Sequence, residues 1–333
     1  MSEILSPTSI RGIRIGHAQN EQALTGCTVI LCEQGAIGGV DQRGGAPGTR
    51  ETDALRPIHL VQEVHAVLLS GGSAFGLDAA SGVMQYLEEQ EIGIDTGAAK
   101  VPIVAAAILY DLDLGDPKVR PNAEMGYQAC QNASNNPPAE GNVGAGCGAT
   151  VGKILGIKQA MKSGIGWSAI DLGRGLIVSA IVAANPFGDI IDPQSGKILA
   201  GARSFQKGPI RIGEAGYFAN TMEVMKGFVG RTILGYAMRG HTVIGCVITN
   251  AKLDKEQTTK VAQMAQDGIA RSVRPAHTML DGDTIFAIST GEKKADVNLI
   301  GAYAAEVFSN AILRAVQNAE PVAGLPALRS VSS

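Results

Sequence analysis

Short aliphatic runs without polar alternation constrain this chain most. Residues 66–69 read Ala-Val-Leu-Leu, residues 176–182 Leu-Ile-Val-Ser-Ala-Ile-Val, and residues 243–248 Val-Ile-Gly-Cys-Val-Ile. A strand with one wet face alternates apolar and polar residues, so runs like these need cover on both faces. Helical spacing supplies the cover: Leu77, Ala80, Val83, Met84 and Leu87 share one face, Val261, Met264, Ala265, Ile269 and Ala270 a second, and Leu299, Ala302, Tyr303, Val307 and Ile312 a third. The pattern predicts a layered α/β or α+β fold. At 333 residues the chain can bury roughly three quarters of its unfolded surface. Aliphatic side chains fill that core, because aromatics make up 4% of the chain.

Between these elements lie short glycine motifs, and the chain carries 43 glycines in all. Residues 38–53 form a glycine-rich loop with two arginines and three acids, a candidate wall for a site. Strand 66–69, the turn Ser70-Gly71-Gly72-Ser73-Ala74-Phe75-Gly76 and the helix that follows form an arrangement able to aim backbone N–H groups at an anion. That turn lacks the G-x-G-x-x-G spacing of dinucleotide sites, and Ser73 is not in a G-x-S-x-G elbow. Residues 147–153 approach a P-loop, but Cys147 replaces its first glycine and Ile154 follows Lys153, which disfavours phosphate. A hairpin is expected over 165–182 around Gly173-Arg174-Gly175, an exposed connection over 193–231, and a mobile tail beyond Pro321.

Charge narrows the partners. The net charge of −3 is spread without long runs, and Trp167 is the single tryptophan, so neither a nucleic acid nor a membrane surface is an expected partner. No stretch reads as a leader or as a bilayer span, and a cytoplasmic location is expected. The five cysteines and five histidines fall into no zinc spacing, so no metal and no cofactor are expected.

Two places hold polar groups that packing does not explain. Thr242, after His241, heads the apolar run at 243–248. Asp281-Gly282-Asp283 precedes another strand at 284–289, and extended backbone would turn both carboxylates to one side. Such a pair could orient a hydroxyl or an ammonium group, with one pKa raised by the like charge, or it could be an ordinary Asp-Gly turn.

Four motifs, in this order, carry a resemblance: Asp41-x-Arg43-Gly44-Gly45-Ala46-Pro47-Gly48-Thr49-Arg50-Glu51-Thr52-Asp53, Gly71-Gly72-Ser73-Ala74-Phe75-Gly76-Leu77, Gly141-Asn142-Val143-Gly144-Ala145-Gly146 and Asp281-Gly282-Asp283-Thr284. From about Gly12 to Gln317 the chain resembles the self-cleaving, DmpA-type aminopeptidases, which include L-aminopeptidase/D-esterase-amidases, β-peptidyl aminopeptidases and nylon-6-oligomer hydrolases. The resemblance implies a single hydrolase domain with a four-layer αββα sandwich of the N-terminal-nucleophile-like type. It implies a precursor that cuts itself between His241 and Thr242, giving chains 1–241 and 242–333. Thr242 would then be the nucleophile, with its new α-amine as base near neutral pH. Asp281 and Asp283 match the acidic pair supporting the threonine in the nylon-oligomer branch. Lys153 matches a lysine beside the nucleophile, Asn185 the asparagine of the oxyanion hole, and Tyr110 a tyrosine lining the site. Where that branch has Asn before the threonine and others have Gly, this chain has His241, which is expected to tune the cleavage rate. Substrates would be short peptides or ω-amino-acid amides with a free amine, and assembly a homo-tetramer or higher oligomer of α/β heterodimers. Two alternatives stand beside this reading: acyl transfer to an amine, as in the related ornithine acetyltransferases, and an uncleaved, non-catalytic assembly protein.

Overall fold

The computed structural model describes residues 4–207, 210–212, 216–228, 230–231 and 240–331. The strands that matter are β1 (Ile13–Asn20), β2 (Thr25–Gln42), β3 (Thr49–Arg50), β4 (Glu63–Ser70), β5 (Val104–Ile108), β6 (Ile165–Asp171), β7 (Ile177–Asn185), β8 (Thr242–Ala251) and β9 (Thr284–Lys293). The long helices are α1 (Ala79–Glu89), α2 (Ala123–Gln131), α3 (Lys255–Ser272) and α4 (Val297–Gln317). The nine strands join in the order β6-β7-β8-β9-β2-β4-β5-β3, with β1 paired to β2. Strand β2 is 18 residues long and serves both halves of this path. Its first half pairs with β1 and β4 and its last residues pair with β9, with a register shift between Leu31 and Ala36.

Alternation, absent as polarity, is present as a choice of layer. Val243, Val247 and Ala251 point to α3 and α4, packing on Val261, Ile269, Ala304 and Phe308. Ile244, Cys246 and Ile248 point the other way, onto Ile30, Val67, Leu69 and Ala105 from the opposite half of the sheet. Val29, Leu31, Leu68 and Ala106 then face α1 and α2. Two helical layers therefore enclose two sheet layers, the four-layer αββα sandwich expected from the resemblance. Glycine permits the closest helix contact: a Cβ on Gly82 would sit 1.7 Å from the Ala123 carbonyl oxygen, and one on Gly126 1.9 Å from that of Ala79. Helix α3 begins with a reciprocal cap, in which Asp254 accepts from the Gln257 N–H and the Gln257 side chain accepts from the Asp254 N–H.

Three expectations are corrected. The described residues of 193–231 are only in part an exposed connection: 193–197 are exposed, whereas Ala200, Ala202, Ala219 and Thr221 are buried. The buried Asp189 carboxylate ties the buried part together, accepting from the Ala202 N–H (2.9 Å), the Thr221 N–H (2.6 Å) and the Thr221 hydroxyl (2.8 Å). The tail is docked, with Leu325 and Ala327 buried and the Pro326 carbonyl accepting from the Lys162 N–H at 2.8 Å. Helix α4, at 21 residues, is long and apolar enough to cross a bilayer by length and composition. Its Ile300, Ala304, Phe308 and Ile312 are core residues here.

Candidate active site

Strand β8 lies between β7 and β9 and delivers Thr242, 3% exposed, at its first position. The antiparallel register with β7 sets Asn185 directly opposite Thr242, so their side chains share a face. On the other flank the chain runs parallel to β9, and His241 bridges Asp281. This pairing brings residues 281–283 alongside 241–243.

The His241–Thr242 peptide is held at several points. The His241 carbonyl accepts from the Gly282 N–H at 2.8 Å. The Thr242 hydroxyl donates to the same carbonyl oxygen. A Cβ on Gly282 would lie 3.0 Å from Thr242 Oγ1 and 2.5 Å from the Ala46 carbonyl oxygen, so glycine is what lets this backbone reach the hydroxyl. One residue on, the Val243 N–H donates to Asp283 Oδ1 at 2.8 Å. The His241 ring lies against Phe187, 5.2 Å between centroids.

Both aspartates are buried. Asp281 accepts from the Phe187 N–H (3.1 Å), the Thr278 N–H (3.1 Å) and the Thr278 hydroxyl (2.5 Å). Burial, and then the charge of Asp283, push its pKa up to about 6. Asp283 accepts on its second oxygen from the His277 N–H (3.1 Å) and His277 Nδ1 (2.8 Å). The loop at 43–46 clamps this segment: Arg43, Gly45 and Ala46 donate backbone N–H groups to the carbonyls of Asp283, Thr278 and Asp281.

Across from the acids, Lys153 Nζ donates to Asn185 Oδ1 at 2.6 Å and to the Asn185 carbonyl at 2.9 Å. Desolvation pushes the lysine pKa down to about 7, against the opposing pull of Asp281, Asp113 and Asp111. Asn185 Oδ1 also accepts from the Thr150 N–H (3.0 Å) and hydroxyl (3.2 Å). Its Nδ2 donates to the Tyr110 carbonyl at 2.9 Å, while the His241 carbonyl accepts from the Gly282 N–H and the Thr242 hydroxyl. The Tyr110 ring lies against Gly240, where a Cβ would be 2.6 Å from Tyr110 Cγ, and its hydroxyl donates to Asp113 at 3.1 Å. Tyr110, Asp111, Asp113, Thr150, Lys153 and Gly240 line a small pocket beside the strand.

The structure thus gathers the sequence-derived residues: Thr242, Asp281, Asp283 and His241 in one bonded group, and Lys153 and Tyr110 in a second, bonded to Asn185 at the end of β7. His277 and Thr278 were missed by sequence reasoning. Their signal was slight, two polar residues in a helix-ending stretch just before an acidic pair. In the turn at 71–76, Gly71, Gly72 and Ser73 give their N–H groups to the Gly26 carbonyl, Asp111 Oδ1 and the Leu109 carbonyl, so these three are not offered to an anion. Asn142 exchanges hydrogen bonds with the backbone of Glu320, so that part of the 141–146 motif anchors the tail. Among the described residues, no group of three or more His, Cys, Asp or Glu side chains is placed to hold a metal ion.

Residues 6–328 match peptidase family S58. The chain belongs to peptidase family S58. Family membership makes it a hydrolase of amide bonds. An uncharacterized aminopeptidase of Mycobacterium leprae is 40% identical over 351 residues, covering 96% of this S58 chain and 92% of that protein. The 6-aminohexanoate-oligomer endohydrolase of a Kocuria species is 30% identical over 322 residues, covering 92% and 84%. The solved L-aminopeptidase D-Ala-esterase/amidase of Ochrobactrum anthropi, a variant of the Ntn-hydrolase fold, superposes with a TM-score of 0.69 at 18% identity, covering 98% of this chain and 90% of that one. The αββα layers of this S58 chain are that fold.

Proposed function

We propose that this S58 hydrolase cuts itself between His241 and Thr242 and then uses Thr242 as an N-terminal nucleophile on short peptides or ω-amino-acid amides. One observation carries the reading: the His241 carbonyl oxygen meets the Gly282 N–H at 2.8 Å and also receives the Thr242 hydroxyl. In the self-cleavage, Thr242 Oγ1 bonds to the His241 carbonyl carbon, and the carbonyl electron pair moves onto an oxygen already facing a donor. The carbon–nitrogen bond to Thr242 then breaks, and the proton lost by the hydroxyl ends on the departing amine. Water hydrolyses the resulting ester, leaving a carboxylate on His241 and a free hydroxyl and amine on Thr242. With its pKa near 7, Lys153 is in part neutral at neutral pH and can carry that proton.

In the cut enzyme the Thr242 amine takes over as base. A substrate carbonyl would enter where the His241 carbonyl was, form an acyl ester with Thr242, and be released by water. Relatives named as an aminopeptidase and as a 6-aminohexanoate-oligomer endohydrolase support amides bearing a free amine as substrates. Denaturing electrophoresis with N-terminal sequencing tests the first step. Two fragments are expected, the smaller beginning at Thr242, with Thr242→Ala staying whole. A wild-type chain that stays whole would sink the reading. A panel of aminoacyl anilides, β-peptides and aminohexanoate oligomers then tests the substrate class, and an acyl product formed with added amines in place of hydrolysis would move the enzyme to the transferases.

A further inference from the structure

Asp283 is bonded through both oxygens, and the two lead to different places. Oδ1 receives the Val243 N–H at 2.8 Å, one residue past the bond proposed to be cut. Oδ2 receives two donors from one residue, the His277 N–H at 3.1 Å and ring Nδ1 at 2.8 Å. A carboxylate oxygen accepts, so Nδ1 is the ring's donor in this contact and Nε2 is the nitrogen left over. That Nε2 is buried and has no partner among the described residues. His277 also has a φ of +56°, in the left-handed region that is costly for a residue with a Cβ. A buried ring nitrogen without a partner and a strained backbone are both unfavourable, and both accompany the contact to Asp283.

We propose that His277 is a positioning residue for the chemistry at Thr242. It fixes the Asp283 carboxylate so that the other oxygen holds the Val243 N–H, and this sets Thr242 and the His241 carbonyl against the Gly282 N–H. The inference rests on the self-cleavage reading and assigns a residue to it that needs no contact with the reacting atoms.

Self-cleavage of the full chain, followed by denaturing electrophoresis in wild type, H277N and H277G, tests the assignment. Folding of each variant is checked by thermal melting in an uncleavable Thr242→Ala background. Asparagine and glycine both accept a left-handed φ, so neither adds backbone strain. Asparagine returns an N–H donor to the Nδ1 position and glycine does not. H277N is expected within about threefold of the wild-type rate, and H277G slower by about 10- to 100-fold, the effect of losing one hydrogen bond to a charged group. H277G cleaving at the wild-type rate, or folded H277N as slow as H277G, overturns the assignment and leaves self-cleavage standing. Where H277G fails to melt cooperatively, H277D replaces it as a near-isostere of asparagine without the donor, with the same slowing expected and wild-type speed overturning the assignment. A wild-type chain that never cleaves overturns the self-cleavage reading, and this inference falls with it.

Discussion

Lys153 and Lys162 stand nine positions apart, and desolvation pushes both ammonium groups down to about 7. What surrounds each nitrogen separates them. Lys162 is fully buried, and its Nζ donates to the carbonyls of Gly146 (3.0 Å), Ala149 (3.0 Å) and Ser163. Three bonds use every N–H of an ammonium group, so nothing is left over for chemistry. Lys153 donates to the two oxygens of Asn185, which leaves its third N–H, or after deprotonation a lone pair, within the field of Asp281. A perturbed pKa marks a functional lysine only when the nitrogen has a bond to spare.

The largest test of that contrast exchanges the two lysines for an uncharged residue of similar length. Lys153→Met is expected to slow self-cleavage by about 10²- to 10⁴-fold, the usual share of a proton carrier, with little change in melting temperature. Lys162→Met is expected to do the reverse, because three buried carbonyls lose their donor. Equal losses of rate in two folded variants would erase the distinction. Next in size, Asn185→Ala removes the Oδ1 anchor of Lys153, leaving the backbone carbonyl, together with the Asn185 bond to the Tyr110 carbonyl. About 10²-fold slower self-cleavage is expected, measured on the same gels.

A smaller effect reads the buried charge directly. A lysine whose pKa is lowered from the ordinary 10.5 to about 7 in the folded chain binds fewer protons folded than unfolded between those values. Its contribution to stability therefore rises with pH from about 7 to 10.5. In the Thr242→Ala background, urea unfolding should show the parent gaining on Lys162→Met by up to about 1.4 kcal/mol per pH unit in that window. A difference that stays flat with pH would show that Lys162 titrates alike in both states. The smallest change belongs to Tyr110→Phe. It removes one hydrogen bond to the exposed Asp113 and leaves the ring on Gly240, and kcat/KM should move by less than about threefold.

The layers were legible because an unalternating run such as residues 243–248 has to be covered twice, and the 3.6-residue spacing of α1, α3 and α4 named the covers. The hairpin of β6 and β7 was legible from its Gly173-Arg174-Gly175 turn. The buried part of the described residues in 193–231 was not, because small residues and the Asp189 carboxylate hold it, and neither leaves a period in a sequence. The docked tail was hidden for a similar reason: much of its anchoring is backbone, as in the bond from the Lys162 N–H to the Pro326 carbonyl. At the site, a motif pointed to Asp281 and Asp283, an apolar run pointed to Thr242 at its head, and resemblance pointed to the role of Thr242 and to Lys153, Asn185 and Tyr110. That Asn185 faces Thr242 is a matter of strand register between distant segments, which no local pattern encodes. His277 was out of reach because a histidine after Pro275-Ala276 reads as a turn residue. Its contact with Asp283 is made by a left-handed backbone angle that composition does not announce.

Strand order gives the proposed cut a consequence for heredity of shape. β8 and β9 would belong to the fragment 242–333, yet they sit between β7 and β2, which would belong to 1–241. Separating the fragments would open a two-strand gap in the middle of the sheet and bare the hydrogen-bonding edges of four strands. Neither piece could keep the sandwich without the other, so the cut would change the number of chains without changing the number of bodies. Fragments made from two separate genes would have to fold in each other's presence, whereas the continuous chain delivers them already interleaved.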